Sequence, residues 1–144
     1  MRKLSTRLGA VLAVIAAAPL MNSSLDAAES GLTGRIGVEV RNVRVERSAN
    51  AFRFIHDRAF LETGGVGVTL TQGQVCFSNG QCQGKPVQYR IEANREFVFH
   101  NAEVEPLGAN ETFAYIYTGK DDNGHVVETK FRIVVSDDRF LVTP

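Results

Sequence analysis

The sequence predicts an all-β protein: an antiparallel β-sandwich, with a small β-barrel as the alternative. Three observations predict it. Apolar side chains recur at every second position in run after run, the period of a strand that buries one face. Gly, Asn and Asp cluster between those runs, where tight turns need them. The chain also has 144 residues with nine Phe, three Tyr and no Trp, enough aromatic volume for the core of one ordinary domain.

The amino terminus stands apart from this pattern. Arg2, Lys3 and Arg7 precede an apolar run from Leu8 to Leu20, too short for a bilayer span of about 20 residues but suited to the apolar part of a secretory signal. Ala27 and Ala28 mark the expected cleavage site, although Asp26 stands where a small residue is preferred; an uncleaved amino-terminal anchor is the alternative. The expectation is a signal peptide over residues 1–28 and a single domain over 29–144, with a periplasmic or secreted location of bacterial type. The domain then carries 13 basic and 15 acidic side chains. That balance provides no electrostatic footprint for nucleic acid, and no later apolar run predicts membrane insertion once the signal is removed.

The strands follow in order. Ile36, Val38 and Val40 alternate with polar residues, and Val43 and Val45 resume in the opposite phase, so Arg41-Asn42 predicts a bulge. Ser48 to Glu62 resists assignment: its apolar residues spread around a helical wheel, and as extended structure they require a turn near His56-Asp57. Extended structure is preferred over a short helix. Val66, Val68 and Leu70 alternate, with a phase change near Gly73 before Val75 and Phe77. Val87, Tyr89 and Ile91 lead through Glu92-Ala93-Asn94-Arg95 into Phe97 and Phe99. Phe113, Tyr115 and Tyr117 share one face, Val127, Thr129, Phe131, Ile133 and Val135 another, and Phe140 with Val142 predicts a short last strand.

Cys76 and Cys82, the only cysteines, flank Phe77-Ser78-Asn79-Gly80-Gln81. A three-residue Ser78-Asn79-Gly80 loop puts Gly80 in the left-handed position and sets Cys76 opposite Cys82, in the closer type of cross-strand pair. A two-residue Asn79-Gly80 turn would pair Cys76 with Gln83 instead. The first register predicts a structural disulfide rather than a redox pair, because the two-residue Cys spacing and helix amino terminus that activate a thiol are absent.

The stretch from Val104 through Phe113-Ala114-Tyr115-Ile116-Tyr117, the Asp122-Asn123-Gly124 turn, and Phe131-Arg132-Ile133-Val134-Val135 resembles the last two strands of immunoglobulin-like and fibronectin type III-like domains. That resemblance implies an immunoglobulin-like sandwich and carries no function.

Chemistry is sparse. His56 beside Asp57, His100 near Glu103 and Glu105, and His125 after Asp121-Asp122 are the metal-ligand candidates. None has a chelating spacing, so the reading is three surface or turn histidines, with no metal or other cofactor. Asp121-Asp122-Asn123-Gly124 is explained as a hairpin turn rather than a calcium loop. Gly64-Gly65-Val66-Gly67 precedes strands, not the helix that a nucleotide loop needs. No nucleophile elbow or zinc-protease motif is present. The function expected is a non-enzymatic protein-binding or accessory module whose partner is another exported protein, met by edge-strand pairing. The alternatives are a small metal-binding protein and a β-barrel carrier of an apolar ligand.

Overall fold

A computed structural model describes residues 31–47, 52–106, 108, 110–136 and 139–144. The signal segment and Ser48 to Ala51 lie outside the described residues. Eight strands follow one another: β1 (Ile36–Arg47), β2 (Phe52–Glu62), β3 (Val68–Cys76), β4 (Cys82–Ile91), β5 (Glu96–Val104), β6 (Asn110–Asp121), β7 (Val126–Ser136) and β8 (Arg139–Thr143). They form a three-stranded sheet, β1-β2-β5, and a five-stranded sheet, β4-β3-β6-β7-β8, with every hydrogen-bonded pair antiparallel.

The two sheets face each other as a sandwich and do not close on themselves. The β-barrel alternative is therefore wrong, and the barrel carrier falls with it. The physical reason lies in the edges: β1 and β5 bound one sheet and β4 and β8 the other, so no strand pairs the sheets into a ring.

Between the sheets, Phe54 and Phe60 of β2 meet Val68 and Leu70 of β3, Phe113 of β6, and Phe131, Ile133 and Val135 of β7. Aromatic rings dominate the middle. Phe60 meets Tyr117 edge-on at 4.9 Å, and Tyr115 stacks on Phe131 at 4.9 Å. The β6–β7 hairpin has the expected register: Tyr115 stands opposite Phe131 and both are buried, while Lys130 and Arg132 are exposed. At Gly119 a side chain would collide with the backbone of Thr69 and Leu70, so only glycine allows β6 to lie this close to β3.

β2 departs from expectation in an informative way. It is extended, as preferred, but one unbroken strand with no turn at His56-Asp57. Phe54, His56, Arg58 and Phe60 face the other sheet. Ile55 and Ala59 on the opposite face are buried as well, in the strand that lies between β1 and β5. A strand covered on both faces shows no alternation to read.

The irregularities are ordered. The expected β1 bulge lies between Arg41 and Arg44, with Asn42 left-handed at φ 55°. β5 is bulged against β2 between His56 and Arg58, with Asn101 at φ 55°. In β3 the shift falls between Leu70 and Gln72, slightly before the expected Gly73. Asp57 joins the first two bulges: Asn42 Nδ2 donates to Oδ2 at 2.8 Å, and the Asn101 backbone N–H donates to Oδ1 at 3.0 Å. These bonds hold the Asp57 carboxyl down at about 2, against burial and with help from His100.

Cys76 pairs with Cys82 in a disulfide, and the two stand directly opposite with Cα atoms 4.0 Å apart. Gly80 is left-handed at φ 82°, and the Phe77 N–H donates to Gln81 O at 2.8 Å, which is the three-residue loop expected. Glu111 of β6 anchors this hairpin by accepting from the Ser78 N–H at 3.0 Å and from the Ser78 hydroxyl.

Candidate functional site

The five-stranded sheet outruns the three-stranded one along the β3–β4 hairpin. On that flank, β5 on one side and the inner face of β3 and β4 on the other leave an open cleft of about 370 Å³. Phe99, Asn101, Ala102 and Glu103 form one wall; Val75, Gln83, Gly84, Lys85 and Tyr89 form the other. Arg58, Tyr115 and Tyr117 lie at its base.

Arg58 is 5% exposed and has an unusual set of neighbours. Its Nε donates to His56 Nε2 at 3.0 Å, and its Nη1 donates to the Tyr117 hydroxyl at 2.9 Å. Its Cζ lies 3.9 Å from the centre of the Tyr115 ring and 5.7 Å from that of Phe131. All of these partners are uncharged. No described carboxylate forms an ion pair with Arg58. Asp57, its neighbour in sequence, is turned to the other face of β2 and held there by Asn42 and Asn101. Glu103 in the cleft wall is 3.3 Å from Arg53.

His56 is fully buried against Phe140 of β8, with ring centres 5.4 Å apart. Burial first, and then the Arg58 charge, push its pKa down to about 4, with Asp57 opposing them. Neutral His56 accepts the Arg58 N–H through Nε2, which places its own proton on Nδ1. That Nδ1 has no hydrogen-bond partner. Burial raises the Tyr115 hydroxyl above its ordinary value, and Arg58 counters through its charge and a hydrogen bond.

The three histidines therefore differ, and the reading of all three as surface or turn residues fails at His56. His100 on β5 is exposed and stands 3.3 Å from Asp57, not with Glu103 and Glu105. His125 follows the β6–β7 turn, with Nδ1 3.1 Å from Asp121 Oδ2. Among the described residues no group of three or more His, Cys, Asp and Glu side chains is placed to hold a metal ion. Asp121 accepts from the backbone N–H groups of Gly34, Asn123 and His125. Asp122 is bound by both terminal nitrogens of Arg90. The oxygens a calcium ion would need are thus engaged within the fold. In the Gly64-Gly65 loop, the backbone N–H groups of Gly64, Gly65 and Asn94 all donate to Glu62, so a carboxylate of the chain itself fills the position an anion would take. Burial works to raise the Glu62 pKa, but those N–H bonds and one from Arg35 hold it below the ordinary range.

The Arg58 cleft is the site that sequence reasoning missed. Its signal is the run His56-Asp57-Arg58 inside an otherwise apolar strand, a polar triplet whose first two residues read as a turn.

No family model and no curated protein sequence matches the chain. Among solved structures, a Bordetella pertussis protein provisionally named ApaA is similar in fold at a TM-score of 0.58 and 12% sequence identity, over 74% of this chain and 97% of that one. That likeness supports the β-sandwich fold and nothing more specific.

Proposed function

We propose that this chain is an exported, immunoglobulin-like recognition domain that binds another exported protein and performs no chemistry of its own. In immunoglobulin sandwiches strands A, B and E share one sheet and C, F and G the other. Here β1, β2 and β5 share one sheet, and β3, β6 and β7 are contiguous in the other; that partition supports the assignment. The signal-like amino terminus and the pairing of both cysteines favour export, and the basic-then-apolar leader favours the periplasm. No helix among the described residues is long and apolar enough to cross a membrane.

The cleft at Arg58 is the observation that carries the reading. Simple strand addition is disfavoured because all four edges are blunted. β1 and β5 are bulged, β4 carries Pro86 and an inward-facing Lys85, and β8 has only 5 residues. These blunted edges favour recognition in the cleft over recognition along an edge. Gln83→Trp, at an exposed position in the cleft wall, tests this. Affinity capture from the exported fraction should retain a defined partner with the wild type and with Lys130→Ala, and lose that same partner with Gln83→Trp. Equal capture by all three refutes the cleft as the binding site.

A further inference from the structure

We propose that the cleft binds organic monocarboxylates, with Arg58 as the anion anchor; this rests on the reading of the cleft as the place where a partner is held. A buried cation is costly unless a counter-charge accompanies it, and this chain surrounds Arg58 with a neutral imidazole, a phenol and an aromatic face instead. Asp57 is on the wrong face and Glu103 is engaged by Arg53. A guanidinium has five N–H donors in a planar fork. One goes to His56 and one to Tyr117. Even with Tyr115 also served, capacity for a further acceptor remains, and the open side is the cleft.

The lining selects the ligand class. Arg58 and Lys85 are positive; Glu103 shares Arg53 with Glu46, so those three side chains keep one net negative charge and the cleft is left with one net positive charge. A monoanion restores balance, whereas a doubly charged phosphate exceeds it and meets Glu103. A carboxylate also matches the planar guanidinium fork. Tyr89 and Phe99 meet where the two walls join, with ring centres 5.9 Å apart, and offer an apolar surface to the body of such a ligand; the volume lies in the range of small-molecule sites. The bland alternative is a purely structural Arg58, hydrated through the cleft and tied to Tyr115 and Tyr117.

The test titrates the full chain at about pH 8, where phosphate has largely lost its second proton, with sodium benzoate, with benzamide as the uncharged isostere and sodium phosphate as the dianion, followed by calorimetry and by aromatic NMR shifts. Benzoate should saturate, and benzamide and phosphate should bind at least about tenfold more weakly. Lys85→Gln should weaken benzoate about threefold and Glu103→Gln should tighten it about threefold. Both positions are exposed, so these variants decide the question even if Arg58→Gln does not fold. Equal binding of benzoate and benzamide, no saturation by benzoate, or no effect of either variant overturns the proposal. A peptide with a free α-carboxylate that displaces benzoate, where its carboxamide does not, identifies a protein carboxy terminus as the source. Saturation by benzoate that neither peptide disturbs identifies a free small acid. If benzoate fails while Gln83→Trp still abolishes partner capture, the carboxylate proposal falls and the recognition domain stands. If Gln83→Trp leaves capture intact as well, both fall.

Discussion

His56 makes the stability of this domain depend on pH in a window where few other groups act. Its ordinary pKa of 6.5 falls to about 4 in the fold, because burial and the Arg58 charge oppose a second cation. The unfolded chain therefore binds the proton more tightly than the folded one. The stabilisation from neutral His56 is fully present above about pH 6.5 and is lost as pH falls toward about 4. With these values linkage removes about 2 kcal/mol between pH 8 and pH 5, and about 3 kcal/mol by pH 4. Carboxylates held low in the fold, such as Asp57 and Glu62, act in the same direction but below their ordinary range, so they contribute little above about pH 5. His56→Gln removes the titration while keeping an acceptor for the Arg58 N–H. Urea melts at half-unit steps from pH 8 to pH 4.5 should show wild-type stability falling steeply, and His56→Gln falling less by about 2 kcal/mol at pH 5. Parallel curves for the two proteins would refute a neutral, buried His56.

Three further outcomes are expected. Phe131→Ala should cost about 3–5 kcal/mol in denaturant melts, because its ring is buried and stacked on Tyr115. Lys130→Ala, one residue away and exposed, should cost well under about 1 kcal/mol, and comparable losses would mean that β7 faces the wrong way. Replacing both Cys76 and Cys82 with Ala should lower stability by about 2 kcal/mol, since the closed loop is short, and thiol counting on the denatured wild type should find none free. Asp57→Ala should cost about 2–3 kcal/mol by leaving the Asn101 N–H and the Asn42 amide without their acceptor, and amide exchange should quicken at Asn101; unchanged exchange there would mean that the bulge does not depend on Asp57.

The sequence was legible wherever a strand buries only one face. β6 and β7 alternate cleanly because their outer faces meet water, and the Asp122-Asn123-Gly124 turn sets their register without help from the rest of the chain. The same holds for the disulfide. Six residues of separation, with Gly80 in the left-handed position, determine the cross-strand partner locally. Asn42 marked its bulge because the phase of the apolar residues flips across it.

By itself, then, the sequence determined the all-β class, the hairpin registers and the cysteine pairing, since each depends on contacts between residues near in the chain. Tertiary structure alone decided the character of β2 and the site built on it. Buried on both faces, β2 carries no periodic signal, and its His56-Asp57-Arg58 triplet has the composition of a turn. That triplet becomes a core element only because β5 supplies the Asn101 N–H to Asp57, β6 supplies Tyr115 and Tyr117 to Arg58, and β8 lays Phe140 over His56. These partners lie more than 40 residues away in sequence, and the mismatch between five strands and three that opens the cleft is a property of how the sheets are assembled, which no local pattern encodes.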